Sequence, residues 1–412
     1  MAVTKDGGYR WVVINVWHFA SVSAFMVIYT LGILLPTITD DLSLSPSQQG
    51  LLGSAPHWGT ILLAIPLGLA ASQMSPKLLT SVTLLMLTLC LFLQSWAPVF
   101  AVLLLGRLLF GIAIIAQQPA RALLTRQWFR ASETIVVNGF SNVFFGLVVG
   151  GGLVLSPVIL DALGDDWRSA LRMFGFYFAG ITVVWVLLGR DRKTEEFQSG
   201  ELQRTVEVLR GALRHRNLWI CGVGFAGATM SLSAFLSFYP TFMLDRYDIS
   251  LNFSGGILAL DVVVGGIVGM GVGYAAAKTR KEGRFLQALG ILMIASNLAM
   301  ILTGWVPILF VLALFNGFAW TFFPILITVP FNLRGIRPRE LVVAFSFTMM
   351  LVSLGQALGP LLTGFIEEIS GSLKFSLFVM SFTSATLVLA GLTLNFDRQS
   401  TERSVVVAAP GD

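Results

Sequence analysis

Long apolar runs separated by short polar segments divide the chain into twelve blocks. They cover residues 11–35, 50–71, 78–96, 99–123, 135–160, 168–188, 217–240, 254–277, 285–303, 306–330, 341–366 and 373–395. Each is close to or longer than the roughly 20 residues a helix needs to cross a hydrocarbon core about 30 Å thick. None alternates apolar and polar positions as the strand of a membrane barrel does. The pattern predicts an all-α membrane protein with twelve transmembrane helices. The first run, Trp11 to Leu35, spans a bilayer and lacks a small-residue cleavage pattern, so it reads as a retained helix.

The two halves of the pattern match. A shift of 205 residues places Gly50 on Gly255, Gly68 on Gly273, Pro119 on Pro324, Phe140 and Ser141 on Phe345 and Ser346, and Gly150 on Gly355. One offset, half the chain long, implies a duplicated six-helix unit, the plan of many secondary transporters. The expected organisation is a bundle over 1–188, a linker over 189–216, a second bundle over 217–396 and a tail over 397–412. The linker mixes Glu195, Glu196, Glu201 and Glu207 with basic residues and reads as amphipathic.

Composition agrees. Of 412 residues, 55% are hydrophobic and only 12% charged, about half the charge of an ordinary soluble domain. The net charge of +5 matters less than its placement. With the N-terminus in the cytoplasm, 22 of the 27 Lys and Arg residues fall in cytoplasmic segments. The positive-inside rule then puts both termini in the cytoplasm. The expected location is the plasma membrane, the inner membrane in a Gram-negative cell. Cys90 and Cys221 lie far apart within apolar runs and read as packing residues. No nucleotide loop and no metal-ligand spacing occurs, so neither ATP-driven transport nor a cofactor is expected. The basic residues form no nucleic-acid stripe.

Several local motifs then point to a family. The fourth block carries Gly106-Arg107-Leu-Leu-Phe-Gly111, followed by Pro119 and Arg126-Gln-Trp-Phe-Arg130. Asp166-Trp167-Arg168 enters the sixth block. With the 6+6 plan, these resemble the major facilitator superfamily (MFS) over essentially the whole chain. The resemblance implies two bundles that rock about a central cavity lined by helices one, four, seven and ten. Two departures stand out. The loop after Gly68 has Ser72, Gln73, Ser75, Pro76 and Lys77 where the family places an acid and an Arg. Its counterpart after Gly273 also lacks the acid. Helix five has Gly150-Gly151-Gly152 without a Gly-Pro pair, which speaks against a drug/proton antiporter, although helix eleven has Gly359-Pro360.

Ionisable residues inside spans are costly and mark functional candidates. Helical spacing puts Arg107, Gly111, Ile114, Gln118 and Arg121 on one face of helix four, and the resemblance turns that face toward the cavity. Arg107 and Arg121 suit an anionic group or a coupling carboxylate. Structural pairing for Arg107 and snorkelling for Arg121 are the plainer alternatives. Tyr29, Asn142, Asn316 and Trp320 join Gln118 as candidate substrate-binding residues; Asn138 and Gln356 are further polar candidates. Asp261, with Gly265, Gly269 and Gly273 following at i+4 steps, is expected on a tight helix–helix face. It is a candidate proton carrier, as is His18 on helix one, against the alternative that each is fixed by hydrogen bonds. His57 carries less weight, and Glu367 and Glu368 read as interfacial. The expected activity is secondary transport of a small solute, an organic anion by preference, with protons as the candidate coupling ion, the bilayer and the solute as partners and the monomer as the working unit. The alternatives are an exporter of amphipathic drugs and a transporter-like receptor; no paired nucleophile and base supports an enzyme.

Overall fold

The computed structural model describes residues 8–71, 74–129, 133–191, 211, 213–333 and 338–394. It is built of helices: α1 (Tyr9–Leu42), α2 (Pro46–Ala71), α3 (Pro76–Ser95), α4 (Phe100–Trp128), α5 (Thr134–Ala162), α6 (Trp167–Leu188), α7 (Arg216–Tyr247), α8 (Leu251–Thr279), α9 (Glu282–Leu302), α10a (Val306–Ala319), α10b (Phe322–Leu326), α11 (Pro338–Ser370), α12a (Leu373–Phe382) and α12b (Ala385–Thr393). Among the described residues, 11 spans are long and apolar enough to cross a membrane, and α2, with 26 residues, brings the number of long helical segments to the expected twelve. Most of the 189–216 linker, the acid-free loop at Ser72 and Gln73, and the 397–412 tail lie outside the described residues.

Where the helices depart from the apolar blocks, a local cause is visible. The first block ends at Pro36, yet α1 runs on to a left-handed cap at Ser43, φ 49°. α7 likewise passes through Pro240 to a left-handed cap at Asp248, φ 55°. Proline is tolerated inside a membrane helix because neighbouring groups re-satisfy the freed backbone. Ser43 and Asp248 are 205 residues apart, so the repeat extends to the caps. The block at 306–330 is broken after Ala319. Pro324 has no N–H to give the Trp320 carbonyl, which takes a long 3.4 Å bond from Phe323 N instead. α12 breaks at Thr383, whose hydroxyl donates to the Gly227 carbonyl of α7 at 2.8 Å.

The helices form two six-helix bundles, α1–α6 and α7–α12. Large apolar side chains such as Leu62, Leu85, Phe176, Leu187, Ile291 and Leu392 are exposed around the outside, as lipid contact requires. Trp96 and Trp305, also exposed, sit at helix ends on the face opposite the termini, where an amphipathic ring suits the interface.

The halves meet through α2–α11, α5–α8 and α1–α7, and their close approaches cluster on the face opposite the termini. A Cβ on Gly50 of α2 would lie 2.5 Å from the Pro360 carbonyl oxygen of α11. A Cβ on Gly255 of α8 would lie 2.4 Å from the Leu153 carbonyl oxygen of α5. These two glycines are partners in the sequence repeat. Polar clasps sit beside them: Ser47 N and Ser45 Oγ donate to Glu368 Oε2 at 3.0 and 3.4 Å, and Asn252 Nδ2 donates to Asp161 Oδ2 at 2.6 Å. Ser47 and Asn252 are again repeat partners. Within the first half, Arg168 Nη1 and Trp167 Nε1 both grip Asp41 Oδ2, at 2.5 and 3.2 Å. The Trp-Arg motif thus ties the start of α6 to the end of α1.

Gly255→Val is expected to hold the halves apart on this face. With Cys90 and Cys221 replaced by Ser, a pair of Asp161→Cys and Asn252→Cys should form a disulfide readily under mild oxidation, and the added Gly255→Val should cut the yield severalfold. Equal yields would show that closure does not depend on this contact.

Candidate functional site

Arg107 in the first half and Asp261 in the second are buried and, among the described residues, lack a partner of opposite sign. Arg107 lies seven residues into α4, about 10 Å along the helix, and is 1% exposed. Its Nη1 and Nη2 donate to the Val27 and Ile28 carbonyls of α1 over long distances, 3.5 and 3.4 Å. Its Nε is buried without a partner. Among the described residues no carboxylate pairs with it. The one-faced stripe expected on α4 is split by packing: Arg107 is held against α1, while Gly111 presses on Pro56 of α2 so closely that a Cβ would stand 2.0 Å from its carbonyl oxygen. His57, next in chain to Pro56 and buried, lies within electrostatic range of Arg107.

Arg121 lies nearer the face that carries the termini. Its Nη2 donates to Ser141 Oγ of α5 at 3.2 Å, and Ser141 Oγ is 2.8 Å from His18 Nε2 of α1. Three helices thus bring together two residues that the sequence nominated separately. His18 Nδ1 is buried without a partner. The bridging Ser141 was visible in the sequence only as a repeat match, since a serine in a span carries no signal of its own.

In the second half, Asp261 is 1% exposed. Its Oδ2 accepts from Asn316 Nδ2 at 3.0 Å, and Asn316 Oδ1 accepts from Ser296 Oγ at 3.0 Å. Asp261 Oδ1 is buried without a partner. The glycine ladder forms a tight helix–helix face as expected, and its partner is α10: Gly265 meets Trp320 and Gly317, and Gly273 meets Pro324. Asn316 is therefore engaged inside the second bundle, hydrogen-bonded to Asp261, instead of presenting its amide to a cavity between the halves. Asn297 Nδ2 donates to Ser231 Oγ at 2.9 Å nearby in chain. Ser296 and Asn297, adjacent polar residues in an otherwise apolar helix, were the sequence signal for this network and went unread.

Tyr29 links the halves. Its hydroxyl accepts from Gln356 Nε2 of α11 at 3.0 Å, and its ring packs edge-on against Phe145 of α5. Phe25 packs on the same Phe145 ring. Trp320, at the break in α10, is partly exposed with its Nε1 unpartnered. Gln118 and Asn142 lie on α4 and α5, but their side chains fall outside the described residues.

A buried carboxylate with one hydrogen bond is costly to keep charged. Asp261→Asn is therefore expected to leave the melting temperature unchanged or raise it. Asn316→Ala, which strips the one partner, should lower it by the equivalent of about 1–3 kcal/mol. Thermal unfolding in detergent measures both, and the opposite order would place the charge of Asp261 under compensation by another group.

Comparison with known proteins agrees with this architecture. Over 411 residues the chain is 24% identical to the probable L-galactonate transporter of Escherichia coli (strain K12), covering 91% of this chain and 87% of that protein. It is 22% identical to the hexuronate transporter of Bacillus subtilis (strain 168), over 88% of this chain and 87% of that one. It is also 22% identical to the probable nitrate transporter NarT of Staphylococcus carnosus (strain TM300), over 87% and 89%. Among solved structures, the bacterial homologue of the human lysosomal transporter Spinster, inward-facing and unoccupied, superposes with a TM-score of 0.81 at 17% identity, covering 97% of this chain and 100% of that one. The nucleoside transporter NupG superposes with a TM-score of 0.76 at 13% identity, over 94% and 99%. At such identities these structures establish the fold alone. The Major Facilitator Superfamily model matches residues 17–360, and the chain belongs to that family: it is a multi-pass membrane transporter and not an enzyme.

Proposed function

We propose that the chain carries a small organic anion across the plasma membrane by alternating access, coupled to protons, with Arg107 and Arg121 as the anion-binding cations. The observation that carries the reading is Arg107, a fully buried guanidinium without a carboxylate among the described residues. A cation out of water needs a counter-charge, and an anionic solute supplies one in a medium where the attraction is strong. Relatives named for L-galactonate, hexuronate and nitrate support the same sign of charge. Asp261 and His18 are the proposed proton-carrying groups.

The basic-residue asymmetry supports a cytoplasmic location for both termini. On that reading the halves are closed toward the outside, and the anion enters or leaves from the cytoplasm in this conformation. Arg107 is then screened behind α1 and becomes accessible as the bundles rock.

L-Galactonate, D-glucuronate or nitrate should raise the melting temperature of the purified protein, and Arg107→Ala should abolish or weaken that response by about tenfold or more in apparent Kd, the loss of a charge-assisted hydrogen bond. If no anion stabilises the protein while amphipathic cations do, the drug-exporter reading takes its place. In proteoliposomes, uptake by Asp261→Asn is expected to lose its response to a pH gradient, and a normal response would remove Asp261 from coupling.

A further inference from the structure

Chemistry fixes one end of the Arg121–Ser141–His18 chain, and the tautomer of His18 sets the other. A guanidinium has donors and no acceptor, so Ser141 Oγ accepts from Arg121. The serine hydroxyl then has its own hydrogen to give, and His18 Nε2 lies 2.8 Å away. With Nε2 accepting, the ring is neutral and its proton sits on Nδ1, the nitrogen without a partner. Protonating His18 puts hydrogens on both nitrogens. Nε2 becomes a donor, the Ser141 hydroxyl must turn away, and its oxygen faces two cations at once.

We propose that Ser141 is the positioning residue that couples a proton on His18 to an anion on Arg121, so that the two are taken up together. The idea rests on the anion reading above and adds to it the link between the two ligands. A second positive charge on the buried imidazole, beside Arg121, is relieved when an anion joins the pair. The anion in turn draws Arg121 off the hydroxyl and leaves Ser141 to accept from the imidazolium. By linkage the effect is reciprocal: the proton tightens the anion and the anion tightens the proton by the same factor.

Among the described residues, the charged and polar groups around His18 come from four helices. Arg121 of α4 is the charged group that acts on His18. α5 presents the neutral Ser141, and the indole of Trp17 lies beside the ring on α1 itself. Tyr177 of α6 is engaged with Ser23, further along α1. The Arg10–Glu133 ion pair lies toward the terminal face, two turns before His18. His18 is 2% exposed, so solvent does not compete for Nε2.

The test measures apparent Kd for L-galactonate, D-glucuronate and nitrate in parallel from pH 8 to pH 5, where these probes stay ionised. Proton uptake on binding is followed with an indicator dye in weak buffer. The wild-type chain should bind more tightly as the pH falls, by about tenfold per pH unit over the range in which it takes up one proton per anion. His18→Gln should bind with no pH dependence and no proton uptake. Ser141→Ala should shrink the pH dependence, and Ser141→Thr, which keeps the hydroxyl, should restore it. A structural role alone would lower affinity equally at every pH. If anions bind but the His18→Gln variant keeps the wild-type pH profile, or if Ser141→Ala does, the coupling falls and the anion reading stands. If no anion binds at any pH, the anion reading falls and the coupling with it.

Discussion

Lipid tails are as apolar as leucine, so two helices gain nothing from hiding apolar surface when they meet in a bilayer. What holds such a fold together is how closely backbones approach and which polar groups find each other across the gap. In this chain both devices also act between the halves, on the face opposite the termini. Gly50 and Gly255 let carbonyl oxygens come to where a side chain would stand. Glu368 and Asp161 receive hydrogen bonds from the first turns of α2 and α8. The clasps are built from exposed groups, and exposed pairs are worth about 1 kcal/mol or less each. Contacts of that size can hold a face closed and still be broken in each transport cycle.

The same lack of a hydrophobic drive makes the interior charges informative. Nothing in the packing of apolar helices calls for Arg107 or Asp261, and neither has a partner of opposite sign among the described residues. They are also where the duplicated halves differ. Arg107 corresponds to Leu312, and Asp261 to Pro56. The repeat partners Gly50 and Gly255 build matching close crossings, and the unmatched Arg107 and Asp261 carry the charge. Pro56 is itself part of such a crossing, against Gly111, so the position that holds a carboxylate in one half holds a helix contact in the other.

Much of this was legible from sequence because a membrane imposes simple rules. Helix number followed from apolar length, and the repeat followed from one offset. The caps at Ser43 and Asp248 extend that offset to residues the pattern had not matched. The tight helix–helix face of α8 followed from glycines at i+4 steps below Asp261. Helix ends near Pro36 and Pro240 were misplaced because proline stops a helix in water more firmly than it does among membrane helices. The break at Trp320 was missed because its cause, the absent N–H of Pro324, lies four residues away. The role of Ser141 could not be read at all. A hydroxyl in a span ordinarily bonds its own helix, as Thr83, Thr348 and Ser381 do. Whether it reaches across instead depends on what two other helices put beside it.

That dependence bears on how a proton and an anion could be coupled here. The loops after Gly68 and Gly273 both lack the acid that the family places there. On the proposed reading, coupling sits within the spans, at a hydroxyl held between an arginine and a histidine from different helices. A serine hydroxyl is the smallest group that can accept from one neighbour and donate to another, then reverse toward the second when that neighbour gains a proton. Ala cannot replace it because it has neither capacity. A carboxylate would neutralise Arg121 permanently and remove the reason for an anion to bind. A neutral, reversible bridge lets the arginine stay available for an anion while remaining sensitive to the charge on the histidine.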